Sequence, residues 1–460
     1  MSHQYRNESD LTESEHDWIG QYPIEWLRTR LGYHVAFITG FAFKSDGFSF
    51  EDGVKLVRGD NVTEGHLRWG EKSRFWPEIT SDLTQYVLKA GDVLIGMDGS
   101  KVGKNYARVE ESDLPLLLVQ RVARLRTSDD VCERYLTYLI GSQLFKTWTA
   151  LVKTDPAIPH ISPDDIKGFP VALPCDIEQK QIASFLDYET GKIDALIEKQ
   201  QQLIALLGEK RQAVISNAVT KGLNPDAPMR DSGVQWLGEV PEHWTAKRLK
   251  HISPMVTVGI VVNPSTFATS EGLPFVHGGD IREGIINAGD ARRISPAGSE
   301  QHSKTKLEVG DVLTVRVGAG SGTTAVVPPE CSGGNCASVM LVRKGNYNSD
   351  WLCFAMNDHV IQSQLEVVHY GAAQPQFNIS HAIEFWFPVP PLAEQDAITE
   401  FLLKNSDRYK ALVAKAESTI ELLRERRTAL ISAAVTGKID VRGWKPPAAD
   451  PKQETEIEVA

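Results

Sequence analysis

The side chains in this sequence most suited to chemistry are basic residues in or beside glycine-rich turns, and the chemistry they suit is contact with phosphate. A glycine turn lets backbone approach a ligand or a short loop enter a groove, while lysine or arginine supplies the charge. In one half of the chain Lys101 and Lys104 stand in such a turn; in the other, Lys304, Lys306 and Arg316 stand in or beside one. Lys44 and Arg58 are second-rank candidates. Arg121, Arg124 and Arg126 fit a DNA-facing strand, and fit equally a solvated strand edge guarded by positive charge.

Other chemistries lack their residues. A P-loop needs G-x-x-x-x-G-K-[ST], and GSKVGK around Gly99 has neither the spacing nor the hydroxyl. Asn263-Pro264 is followed by Ser265 and Thr266, not by the proline and aromatic residue with which an adenine methyltransferase surrounds a flipped base. His160 and His381 flank a repeated Ile-Ser segment without an acidic or histidine partner at ligand spacing, so no metal site is expected and a structural or DNA-facing role is. Cys132, Cys175, Cys331, Cys336 and Cys353 form no CxxC pair and are odd in number; they read as free, mostly buried thiols. No catalytic residue is expected.

The elements that position the basic turns occur twice. WIGQYPIEWLRTRL (Trp18 to Leu31) returns as WLGEVPEHWTAKRL (Trp236 to Leu249), AGDVLIGMDGSKVG (from Ala90) as VGDVLTVRVGAGSG (from Val309), and HISPDDIKGFPVALP (from His160) as NISHAIEFWFPVPP (from Asn378). EQKQIASFL (from Glu178) matches EQDAITEFL (from Glu394), and KRQAVISNAVT (from Lys210) matches RRTALISAAVT (from Arg426). Ordered matches at a nearly constant offset mark an internal duplication. Short apolar runs between Gly/Pro/Asp turns read as strands, and YLTYLIGSQLFKTW and WLCFAMNDHVIQSQL as helices, giving mixed α+β domains. Trp18, Trp26, Trp236 and Trp244 could stack on bases, but their repetition at the entry of each half favours packing.

Glu178 to Val219 and Glu394 to Val435 carry apolar residues at heptad spacing without proline, so each predicts one helix about 63 Å long, enough for a spacer. Their simplest burial is against each other as an antiparallel pair. The expected order is a first domain over 1–175 (1–16 flexible), a helix over 176–222, a second domain over 223–391, a helix over 392–438 and a flexible tail over 439–460. The net charge of −11 restricts any DNA contact to local basic surfaces. Neither a run of about 18 apolar residues nor a basic, apolar leader is present, so a soluble cytoplasmic protein away from membranes is expected.

The duplicated proline, Glu-Gln and long-helix block, the paired GDVL segments and the GFAFKS stretch (Gly40 to Ser45) resemble the specificity subunit of type I restriction-modification systems. The resemblance covers nearly the whole chain. It implies two target recognition domains on double-stranded DNA, an asymmetric bipartite target, two helical spacers, two methyltransferase subunits and two motor-nuclease subunits. It also implies that S-adenosylmethionine, ATP and magnesium belong to those partners and that this chain holds no cofactor. The competing reading from another class is a coiled-coil scaffold displaying two protein- or ligand-binding domains; a self-sufficient restriction enzyme lacks its motifs.

Overall fold

The computed structural model describes residues 4–71, 73–154, 159–261, 264–370 and 375–446. Asn263 and the expected tail from 447 onward lie outside the described residues. The chain divides into two compact units, Met1–Gln200 with Ser418–Ala460, and Gln201–Glu417. The division falls inside both long helices, so each unit takes a globular domain and half of each helix.

In the first unit a five-stranded sheet has the order Val35–Thr39, Val122–Thr127, Val93–Gly96, Tyr106–Arg108, Glu64–Gly65. A three-stranded sheet follows, Leu116–Leu118 parallel to Val54–Val57, with Phe75–Trp76 at its edge. Helices Glu133–Gly141 and Gln143–Val152 bury Tyr135, Leu136, Leu139, Ile140 and Phe145 in a core shared with Ile182 and Leu186 of the first long helix and Leu430 and Ala434 of the second. Asp194 pairs with Arg427 at 2.9 Å within that unit.

The second unit has a four-stranded sheet in the order Val256–Val258, Met340–Val342, Val312–Thr314, Thr324–Val326, and a second in the order Ala268–Thr269, Arg292–Ile294, Leu273–Val276, Asn335–Cys336. Helices Ser349–Asn357 and His359–Val368 cover the first sheet, burying Trp351, Leu352 and Met356.

The long helices run over Asp176–Lys221 and Leu392–Val435, and end at Gly222 and Gly437, whose left-handed backbone (φ +81° and +70°) no side chain would adopt cheaply. Burial along the second recurs at Leu402, Ser406, Tyr409, Val413, Ala416, Ile420 and Leu423, a 4-3 spacing. Of the apolar positions at heptad spacing, Ile182, Leu186, Ile193, Leu207 and Val214 on the first helix and Ile398, Leu402, Tyr409, Leu423 and Leu430 on the second are covered, whereas Leu196, Leu203 and Leu412 are exposed beside the covered Ile197, Ile204 and Val413.

The duplicated motifs hold the same joints in each unit. The Trp26 indole N–H donates to Glu178 at 3.1 Å, and that of Trp244 to Glu394 at 3.0 Å, tying each lead-in segment to the first turn of a long helix. Gln179 and Gln395 each donate to the carbonyl of a preceding proline (Pro174 and Pro390, both 2.9 Å) and accept from the N–H of Cys132 and Asn348, which cap the helices Glu133–Gly141 and Ser349–Asn357. The GDVL aspartates are fully buried: Asp92 accepts both arms of Arg126 at 2.6 and 2.7 Å, and Asp311 accepts from Arg343 at 2.8 Å.

The leader and the start of the tail are fixed in place. Leu11–Glu13 pairs with Gln21–Pro23, Tyr5 bridges to Ile439, and the Arg6 guanidinium is buried between Glu25 and Glu178. Ile439 and Val441 are buried, and Trp444 packs edge-on to Phe185. Flexibility is therefore not the state of residues 4–16 or 439–446: an acidic composition hid one buried cation and a strip of apolar contacts.

Candidate nucleic-acid interface

A cleft of about 790 Å³ in the first unit opens between three segments: the stretch after the strand Val54–Val57, the glycine-rich turn after Val93–Gly96, and the connection Val119–Arg121. Arg58 and Arg68 line it from the first, Lys101 from the second and Arg121 from the third, with Phe43 and Phe48 as aromatic walls. The glycine-rich turn is pressed onto the helix Gln143–Val152; a Cβ at Gly103 would lie 2.1 Å from Thr149 Oγ1. Four basic side chains face two acidic ones, Asp60 and Asp98. Asp60 is 3.5 Å from Arg58, and Asp98 is held by Arg121 (2.5 Å) and by His160. Partial burial would by itself raise the Asp98 carboxyl, but hydrogen bonds from Arg121 and His160 outweigh it and hold the group below the usual carboxylate range. The cleft thus keeps a surplus of positive charge on a protein that is acidic overall.

The second unit has a cleft of about 570 Å³ at the corresponding place, between Gly278–Arg282 and the turn Val315–Thr323. Its basic side chain is Arg282; the adjacent Glu283 pairs with Arg211 at 2.8 Å.

Of the residues singled out in the sequence, Arg58, Lys101 and Arg121 come together in the first cleft. Lys104 is exposed on the same turn, and Lys44 is exposed between Phe43 and Ser45, which line the wall. Arg316 does not line the second cleft: its neighbours Val315 and Val317 do, and adjacent side chains of extended backbone point to opposite faces. Lys304 and Lys306 precede the strand Val312–Thr314 whereas the glycine turn follows it; Lys306 pairs with Glu300 at 2.8 Å. Arg124 and Arg126 lie on a strand flanked on both sides, so the edge reading does not hold; Arg124 is buried and Arg126 is spent on Asp92. His160 finds in Asp98 the acidic partner that spacing along the chain concealed. His381 is exposed. Trp26 and Trp244 are packed as expected. Among the described residues no group of three or more His, Cys, Asp or Glu could hold a metal ion, and no helix is long and apolar enough to cross a membrane.

Residues 241–422 match the family model described as the type I restriction modification DNA specificity domain. The type I restriction enzyme EcoAI specificity subunit of Escherichia coli is 33% identical over 149 residues, 31% of this chain and 24% of that protein. The EcoBI specificity subunit of Escherichia coli is 24% identical over 434 residues, 91% of this chain and 87% of that one. Over these stretches the chain is similar to the specificity subunits of type I restriction enzymes. A solved chain from work on complex assembly and conformational transition of the type I R-M system shares the fold of this chain, with a TM-score of 0.65 at 17% identity, covering 90% of this chain and 98% of that one. The EcoAI match spans about a quarter of that relative's length.

Proposed function

We propose that this chain is a type I restriction specificity subunit that reads an asymmetric, bipartite sequence in double-stranded DNA, one half through each unit's cleft, and takes no catalytic part itself. The observation that carries the reading is the first cleft, where Arg58, Arg68, Lys101 and Arg121 converge on a deep groove with aromatic walls. The second cleft sits on the same elements with different side chains, which suits a different half-site. In this reading the long helices pack as an antiparallel coiled coil, which the Asp194–Arg427 pair supports, and act as the spacer between domains. Adenine methylation and DNA cleavage fall to two methyltransferase and two motor-nuclease partner subunits.

The test is duplex binding by the full chain, with its methyltransferase partner, across a salt series. Phosphate contacts make log K fall linearly with log salt, by about 0.9 per phosphate neutralised. A steep slope is expected; a flat one would favour a scaffold for protein or small-ligand domains.

A further inference from the structure

Every described residue in the left-handed backbone region is glycine except two, Arg121 (φ +70°) and Ser338 (φ +58°). They occupy corresponding places. Arg121 precedes Val122, whose carbonyl accepts from Gly40 at 3.1 Å; Ser338 precedes Val339, whose carbonyl accepts from Gly259 at 2.9 Å. Arg126 and Arg343, the partners of the buried aspartates, lie at the same distance further on. A left-handed turn at this point is thus built into both units, and glycine would adopt it at less cost. Retaining a long charged side chain there is explained if the side chain is used.

The surroundings of Arg121 indicate how. Its side chain is 69% exposed on the lining of the first cleft, yet it is not loose: one guanidinium nitrogen is bonded to Asp98, itself held by His160. One bond leaves most of a planar five-donor fork for a second partner. Arg58, Arg68 and Lys101 supply charge around it. An arginine pinned at one nitrogen and aimed into a groove is suited to a pair of adjacent acceptors, and O6 and N7 of guanine in the major groove are such a pair.

Building on the DNA-reading function proposed above, we infer that Arg121 is a specificity-determining residue that reads one guanine of the half-site met by the first unit, with Asp98 as its positioning residue. Ser338 puts a short hydroxyl at the corresponding point, so the second unit has no two-pronged donor there.

The test is selection from randomised DNA duplexes by the full chain with its methyltransferase partner. Wild type should enrich a motif with a guanine at one position that Arg121→Lys, which keeps the charge but not the fork, reads about 10- to 100-fold less selectively, the other positions being unchanged. Arg121→Gly relieves the backbone and should give the same loss, separating recognition from folding. Asp98→Asn should weaken the same position alone, by less. Unchanged selectivity at every position in both Arg121 variants would overturn the inference, as would uniform weakening on all sequences with a salt slope lower by about one, the mark of a phosphate contact. If wild type enriches no motif, the DNA-reading function itself fails, and this inference with it.

Discussion

Replacing Glu178 with alanine should destabilise the first unit by about 3–5 kcal/mol, the usual cost of stranding one partner of a buried ion pair. Glu178 is 6% exposed and receives two donors, the Arg6 guanidinium, whose side chain has no exposure, and the Trp26 indole N–H. Arg6 retains Glu25, but that carboxylate is half exposed and offsets only part of the loss. The matched residue of the second unit gives the internal control. Glu394, itself partly exposed, binds Trp244 and the half-exposed His243, with no buried cation, so Glu394→Ala should cost about 1–2 kcal/mol, the cost of leaving the buried Trp244 indole N–H without its acceptor. A single melting temperature is ill-defined for two units, so the assay is native-state hydrogen exchange. The amides to follow are those of Leu27–Arg30 paired with Pro170–Leu173, and of Thr245–Arg248 paired with Trp386–Val389. At about 1.4 kcal/mol per tenfold, exchange in the first pair should accelerate by about two to three and a half decades for Glu178→Ala, and in the second by about one for Glu394→Ala. Equal losses in the two units, or less than one decade for Glu178→Ala, would refute the reasoning.

Three further outcomes follow from the same structure. Burial pushes the Cys336 and Cys353 thiols up to about 12 and Cys331 up to about 11, so alkylation of native protein at neutral pH, read by mass spectrometry, should label exposed Cys175 and spare these three until the protein unfolds. Hydrogen bonding by Arg442 holds the Asp440 carboxyl at about 2; a depressed carboxylate stabilises the fold above its unfolded pKa of about 4, and this is lost as pH falls toward 2, so Asp440→Asn should flatten the acid limb of a stability–pH curve between those values and leave its neutral limb parallel to wild type. Lys101→Ala should weaken duplex binding evenly across sequences and lower the salt slope by about one; a change confined to one base position would assign Lys101 to base reading instead.

What was legible in the sequence was what is repeated, and the repeated motifs prove to be joints. The Trp, Glu-Gln and GDVL residues recur because Trp26–Glu178, Trp244–Glu394, Asp92–Arg126 and Asp311–Arg343 solve the same packing problem twice. Helix positions and most of the seam followed from the 3.5-residue apolar spacing, with exceptions such as Leu196 and Leu412, which recur near that spacing but are exposed. The cleft was harder to read. Arg68 and Arg121 reach Arg58 and Lys101 only through sheet pairing of segments dozens of residues apart, and no local pattern reports a left-handed arginine. Lys304 and Lys306 drew notice by closeness along the chain to a turn that lies beyond the far end of the intervening strand.

The central claim is that two clefts of unlike lining read two unlike half-sites. Its most direct test is to express the chain with its methyltransferase partner and map adenine methylation across a host genome. One new split, asymmetric motif is expected, of which only one half changes when residues 1–170 are exchanged for the first domain of a type I restriction specificity subunit. No new motif from an active complex, or a change in both halves on that exchange, would contradict it.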